Sequence, residues 1–163
     1  MGLILLGVVA RLVPHPWNAT PTMAIALFAG TYLSKRWAII LPLVILASTD
    51  VLLGWHATIP FTWGSFILTG MLAWWVRQRP SPWRILGGAV AGSSLFFVLT
   101  NFGVWLTGEL YPGTANGLWQ CYVAAVPFFR TMLAGDLVFT AAFFGGYAAL
   151  TGGAAARTTR PSA

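Results

Sequence analysis

The chain consists of six apolar stretches separated by short segments rich in proline, glycine or charged residues. Hydrophobic residues make up 58% of it and charged residues only 7%, whereas a soluble domain carries roughly 25% charged residues. Because so little polar surface is available, the apolar stretches favour a lipid environment. The sequence therefore predicts one all-α, polytopic membrane domain, a bundle of about six transmembrane helices.

Helix boundaries follow from the segments between these stretches. The first apolar segment, residues 1–13, ends at a Pro-His-Pro turn, since proline removes a backbone donor and restrains the residue before it. The other helices are predicted at 20–34, 37–54, 61–76, 84–108 and 122–150. The first segment is short, so five spans are expected if it does not cross the membrane. Residues 1–150 then form the single transmembrane domain, and 151–163 are expected to be a disordered cytoplasmic tail.

The net charge of +6 is unevenly distributed. With six crossings, one side of the membrane receives most of the basic residues: Lys35, Arg36, Arg77, Arg79, Arg84, Arg157 and Arg160. The opposite side receives the 14–20, 55–60 and 109–121 connections, with Glu109 as their single formal charge. By the positive-inside tendency, the basic side and both termini are cytoplasmic, in what we expect to be a bacterial inner membrane. Basic residues at helix ends do not form a nucleic-acid-binding surface.

Charged residues inside the apolar stretches require a role, because a charge at mid-bilayer costs at least about 2.5–3.5 kcal/mol. Asp50 and Arg130 are such residues, and Arg11 lies near the outer end of its segment. From the helical rise we expect Arg11, Asp50, Asn101 and Arg130 to meet at one depth on the outer side. An Asp50–Arg130 ion pair would either hold two helices together or contact a ligand directly.

Two further features predict contacts between helices. Asp136 is predicted to lie too deep for a ligand under the outer loops, so we expect an interhelical hydrogen bond, with a proton relay as the alternative. Pairs of small residues at i,i+4, Ala26 with Gly30 and Gly88 with Gly92, predict close helix approach. Packing within the bundle is the favoured interpretation, and a docking face for a partner is the alternative.

Aromatic residues gather near the predicted outer loops. Trp105, Trp119, Tyr122 and Phe129 could stack against a flat ligand, or the tryptophans could belong to the aromatic belt at the lipid headgroups. The belt is the favoured interpretation for other outer tryptophans: Trp17, Trp55 and Trp63. His15 is added to the candidate ligand contacts. No spacing of histidine or cysteine indicates a metal site.

Motifs of catalysis and nucleotide binding are missing from the sequence. It contains no G-x-S-x-G, P-loop, GxGxxG or HExxH motif, so we predict no catalytic residues, no cofactor and no enzymatic activity. A membrane enzyme that uses His56 and Asp50 is the weakest alternative. Cys121, the single cysteine, cannot form a disulfide within the chain.

Several short segments resemble a family of small, uncharacterised bacterial membrane proteins described only by an assumed role in transport. They are Pro14-His15-Pro16-Trp17-Asn18-Ala19-Thr20-Pro21, Ser48-Thr49-Asp50, Thr100-Asn101-Phe102-Gly103-Val104-Trp105 and Cys121-Tyr122-Val123-Ala124-Ala125-Val126-Pro127-Phe128-Phe129. The chain is also similar in size and plan to the S components of energy-coupling-factor (ECF) vitamin transporters. This similarity implies a ligand pocket near the outer face and a separate energising module with ATPases.

We therefore expect a substrate-binding membrane subunit for uptake of a small organic molecule. The candidate ligand-binding residues are Arg130, Asp50, Asn101, Trp105, Trp119, Tyr122, Phe129, Arg11 and His15. Expected partners are membrane lipid, the small-molecule ligand and an energising transporter module. The alternative is an accessory subunit of a larger membrane complex that packs against partner helices, lipids or pigments.

Overall fold

The computed structural model describes residues 1–14, 19–108 and 110–158, with side chains as far as residue 152. Six α-helices follow one another: α1 (Gly2–Leu12), α2 (Thr22–Phe28), α3 (Trp37–Leu53), α4 (Ile59–Gln78), α5 (Pro82–Thr107) and α6 (Ala115–Thr158). A π-helical turn, Ala29–Leu33, extends α2. Within these ranges the chain forms helices and short connections without a strand, which confirms the predicted all-α bundle.

The helices fall into two length classes. Helices α4 and α5 and the Ala115–Gly152 part of α6 are long and apolar enough to cross a membrane. The helices Gly2–Leu12, Thr22–Leu33 and Trp37–Leu53 are apolar but shorter. A bilayer core needs about 20 helical residues, so these lengths indicate a membrane protein, and the number of crossings stays a prediction.

Helix α2 is the centre of the bundle. It contacts α1, α3, α4, α5 and α6, and every residue from Thr22 to Leu27 is buried. The hydroxyl of Thr31 donates to the carbonyl of Leu27 at 2.7 Å, so it needs no partner outside its own helix. A helix that is apolar on all sides is typical of a fully buried position, which is where the structure places α2.

Small residues allow the other helices to approach α2 closely. A Cβ atom added to Gly30 would lie 2.5 Å from the Cβ of Ala73 and 2.6 Å from the Cβ of Ala38. A Cβ added to Gly92 would lie 2.9 Å from the sulfur of Met23. The predicted packing of small residues within the bundle is therefore confirmed.

At the basic end, Arg77 stabilises the π-helical turn. Its Nη1 donates to the carbonyl oxygens of Gly30 at 3.3 Å and Thr31 at 3.1 Å. A π-helical turn interrupts the regular α-helical hydrogen-bond pattern, and a charged donor can bond the carbonyls of such a turn. The indole of Trp74 donates to the carbonyl of Lys35 at 3.0 Å, beside the same turn. Arg77, expected as a topology signal, thus also joins α4 to the central helix.

We expect Arg77→Met to lower the free energy of unfolding by about 1.5–3 kcal/mol, because a charged donor to two part-buried carbonyls is lost. Arg79→Met is the matched control, since Arg79 is exposed just after the end of α4. Denaturant unfolding in mixed micelles measures both variants. Equal loss of stability in the two would contradict a specific role for Arg77.

Helix α6 begins earlier and ends later than predicted. The hydroxyl of Thr114 accepts a hydrogen bond from the backbone N–H of Gly117 at 3.1 Å, which caps a helix that starts at Ala115. Trp119 therefore lies on a helix and not in a loop. At the other end the helix continues to Thr158, because the alanines beyond 150 are strong helix formers and an existing helix needs no new nucleation.

Candidate functional site

An ion pair joins α1 to α3 near the predicted outer end of the bundle. Nη2 of Arg11 lies 2.9 Å from Oδ1 of Asp50, and Nε of Arg11 donates to the hydroxyl of Thr49 at 2.8 Å. The indole N–H of Trp63, on α4, donates to Oδ2 of Asp50 at 2.9 Å. Asp50 is 3% exposed, and both of its carboxylate oxygens have a donor. Three helices thus meet at one buried carboxylate.

This arrangement corrects two predictions. Asp50 pairs with Arg11 and not with Arg130, because the side chain of Arg130 is exposed on α6 and does not reach Asp50. Trp63 was assigned to the lipid-facing belt, but its N–H is directed at Asp50 because α3 and α4 pack side by side. Asp50 is thus paired inside the bundle, but its partners lie on α1 and α4 and not on α6.

A cavity of about 230 Å³, here called the inner cavity, lies beside this ion pair. Residues from all six helices and from the segment before α2 line it: Arg11, Thr20, Met23, Leu53, Phe66, Phe96, Met132 and Asp136. Its walls are mostly apolar, and its polar groups are an arginine, a threonine and an aspartate. Such a combination of apolar walls with a few polar groups is typical of small-molecule sites.

Asp136 links α6 to α5 and also faces the inner cavity. It is 2% exposed, and its Oδ2 accepts a hydrogen bond from the hydroxyl of Ser93 at 2.7 Å. The predicted interhelical hydrogen bond is confirmed. However, Asp136 lines the same cavity as Arg11, and whether a ligand reaches it stays a prediction. A carboxylate offers about four acceptor positions, and a single serine leaves capacity for a ligand.

A second cavity, of about 240 Å³, lies between α4, α5 and α6 and shares Phe96 and Met132 with the inner cavity. Asn101 and Phe129 line it. The side-chain amide of Asn101 donates to the carbonyl of Phe97 in its own helix at 2.8 Å. The structure therefore places Asn101 and Phe129 together, but in a different cavity from Arg11.

Two of the other aromatic candidates have structural contacts. The indole N–H of Trp105 donates to the carbonyls of Pro112 at 3.0 Å and Thr114 at 3.2 Å, which holds the connection between α5 and α6. The hydroxyl of Tyr122 donates to the carbonyl of Val98 at 2.8 Å. Trp119 is 69% exposed on α6. His15, the remaining candidate, lies outside the described residues, as does Trp17. Whether any of these residues contacts a ligand stays a prediction.

Seven residues of the inner cavity are not among the candidate ligand-binding residues predicted from the sequence: Thr20, Met23, Leu53, Phe66, Phe96, Met132 and Asp136. One signal for part of this set was available. Met132 and Asp136 are four residues apart, which places both on one face of a helix. An acidic residue on the same face as a large apolar residue is consistent with a polar position inside the bundle. Most other residues of the inner cavity are apolar residues in apolar helices, and nothing in the sequence distinguishes them from residues that face lipid.

The helical bundle, with three helices long and apolar enough to cross a membrane, indicates a small membrane protein, and a partly open cavity lies between its helices. The chain belongs to DUF6580, a family of unknown function, which matches residues 1–159. The predicted membership of an uncharacterised family is thus confirmed. No curated protein matches the chain, and no solved structure matches it. The geometry of the cavity is therefore the basis for a functional proposal.

Proposed function

We propose that the chain is a substrate-binding membrane subunit for uptake of a small organic molecule, and that the inner cavity holds this molecule. The main support is the position of the cavity, at the point where all six helices meet. A site built from every helix can couple ligand binding to the packing of the whole bundle. This is a requirement for a subunit that signals occupancy to a partner.

The charges of the cavity indicate the class of ligand. The charge of Arg11 is offset by Asp50 at 2.9 Å, whereas the hydrogen-bond partner of Asp136 is the neutral hydroxyl of Ser93. A nearby cation would stabilise the ionised form of such a buried carboxyl. A ligand with a protonated amine or amidine would supply it. We infer a cationic or N–H-rich ligand whose charged group pairs with Asp136.

The size and walls of the cavity restrict the rest of the ligand. Phe66, Phe96 and Met132 form apolar walls that suit an apolar or aromatic portion. The volume of about 230 Å³ is smaller than the roughly 300–1,000 Å³ of sites for drug-sized molecules. The proposed ligand is therefore small and amphipathic, with the free donors of Arg11 available to any acceptor group that it carries.

The proposal includes an orientation and an energy source. The positive-inside tendency places the basic ends of the helices in the cytoplasm, so the end of the bundle with Arg11 and Asp50 faces outward. Because the sequence has no nucleotide-binding motif, uptake would depend on a separate energising module. This is the arrangement that the resemblance to ECF S components implies.

Mass spectrometry of molecules extracted from the purified, denatured protein tests the proposal. We expect one small cationic molecule at close to one per chain. We expect at least tenfold less of it in Met132→Trp, because the larger side chain occupies the cavity. Val138→Trp is the matched control, because it makes a similar change on the same helix at a position that is 66% exposed.

Equal ligand content in the two tryptophan variants would contradict binding in the inner cavity. A protein that carries only lipid or detergent, and binds no amine from a library of small cations, would contradict the proposed function. If Met132→Trp has a lowered unfolding temperature, the smaller Met132→Phe change replaces it. The ligand content of Met132→Phe is then compared with that of Val138→Trp, and equal content would again contradict binding in the inner cavity.

A further inference from the structure

Arg130 lies near the middle of the membrane-spanning part of α6. Three contacts fix the level of α6 against α5: Asp136 with Ser93, Phe129 with Phe97 at a ring distance of 4.7 Å, and Tyr122 with Val98. Arg130 follows Phe129 and is therefore level with the middle of α5 (Pro82–Thr107). By helical rise, each end of α5 is about 15–20 Å away along the axis.

The side chain of Arg130 points away from the bundle. The face of α6 that packs inward contains buried residues: Cys121, Ala125, Met132, Asp136 and Thr140. The opposite face, here called the outward face of α6, contains exposed residues: Trp119, Val123, Val126, Pro127, Arg130, Ala134 and Val138. Apart from Arg130 this face has no formal charge. An apolar surface with one central cation is therefore presented to the surroundings.

No acidic group in the described part of the chain neutralises Arg130. Asp50 is paired with Arg11 and Trp63, and Asp136 is buried on the other side of α6. Arg130 itself forms no ion pair or hydrogen bond within the described ranges. An unneutralised charge at this depth costs at least about 2.5–3.5 kcal/mol, and both helix ends are farther away than an arginine side chain reaches. A countercharge from outside the chain would remove this cost.

We propose that the outward face of α6 binds a transmembrane helix of a different membrane subunit, and that an aspartate or glutamate of that helix pairs with Arg130. Charge complementarity supports this occupant over a second copy, whose described carboxylates are already buried and bonded. Pro127 and Ala134 lie about one turn on either side of Arg130, and small side chains at such positions let a second helix approach closely. The proposal does not depend on a ligand in the inner cavity.

Site-specific photo-crosslinking in native membranes tests the proposal. Crosslinkers at Val126 and Ala134 sit on the outward face, and crosslinkers at Val90 on α5 and Val51 on α3 are exposed controls. We expect Val126 and Ala134 to crosslink to one apolar segment that contains an aspartate or glutamate, with little product from the controls. Arg130→Gln should reduce this product at least tenfold. A charge swap, in which Arg130→Asp is combined with replacement of the acidic residue of that segment by arginine, should restore the crosslinked product.

Three outcomes would overturn the proposal. Products that contain only lipid, with no effect of Arg130→Gln, would mean that the guanidinium reaches lipid phosphate. Products between two copies of the chain would mean a homodimer. Crosslinking to a different subunit that Arg130→Gln does not reduce would mean that this subunit binds the face without pairing a carboxylate with Arg130. Ligand content is measured on the same preparations, so failure here is distinguishable from failure of the proposed binding function.

Discussion

Asp50→Ala is expected to lower the free energy of unfolding by about 3–5 kcal/mol, the loss typical when one partner of a buried ion pair is removed. The carboxylate is 3% exposed and accepts hydrogen bonds from both Arg11 and Trp63. Its removal leaves an arginine whose side chain is 19% exposed without a countercharge, and an indole N–H without an acceptor. Reversible unfolding by denaturant in mixed micelles measures the change.

A double-mutant cycle separates this effect from a general weakening of the fold. Arg11→Met alone should also destabilise, because it leaves the carboxylate charge buried. The double variant, Asp50→Ala with Arg11→Met, should be more stable than Asp50→Ala alone, since no unpaired charge remains. Strictly additive losses would contradict the ion pair as the cause. A double variant less stable than Asp50→Ala would contradict it as well.

The architecture was predictable because it depends on composition, on the length of apolar stretches and on short spacings between small residues. A low charged content and long apolar stretches indicate a helical bundle in lipid, and small residues at i,i+4, such as Ala26 and Gly30, indicate close helix approach. The central position of α2 was not predictable. A uniformly apolar helix carries no pattern that distinguishes a face toward lipid from a face toward protein.

The partner of Asp50 was predicted incorrectly because the start of α6 was predicted too late. The pattern suggested a start at residue 122, but Thr114 caps a helix that begins at Ala115. A shift of that size moves every later residue by about 10 Å along the axis. Arg130 therefore lies farther from the start of α6 than predicted, and it is exposed on the face of α6 opposite the buried residues. Arg11 occupies the place that was assigned to Arg130.

The role of Trp63 depends on information that the sequence does not contain. A tryptophan near the end of an apolar helix is usually a belt residue, and its indole N–H then faces lipid headgroups. In this chain α3 and α4 pack side by side, so that N–H meets the carboxylate of Asp50 at 2.9 Å. Which way an interfacial tryptophan points is decided by helix packing. The same holds for Asp136 and its place in the inner cavity.

Asp136→Asn is expected to weaken binding of the proposed cationic ligand by at least about thirtyfold. A desolvated charge pair that loses one partner costs about 2–5 kcal/mol, and every 1.4 kcal/mol is about tenfold in affinity. Asparagine has nearly the same shape as aspartate, and it keeps an oxygen that can accept from Ser93. The change therefore removes the charge with little change in packing. Calorimetric titration with the amine identified by extraction measures the affinity.

Two further variants locate the ligand. Ser93→Ala removes the hydroxyl that lies 2.7 Å from Asp136 but keeps the carboxylate, so it should change the affinity less than Asp136→Asn does. Asn101→Ala alters the second cavity and not the inner cavity, and it should leave the affinity within about twofold, since the lost contact is not to the ligand. If instead Asn101→Ala abolishes binding and Asp136→Asn has no effect, the ligand lies between α4, α5 and α6, where the sequence-predicted residues Asn101 and Phe129 meet. A carboxylate would then have no part in recognising it, and the inference of a cationic ligand would be wrong.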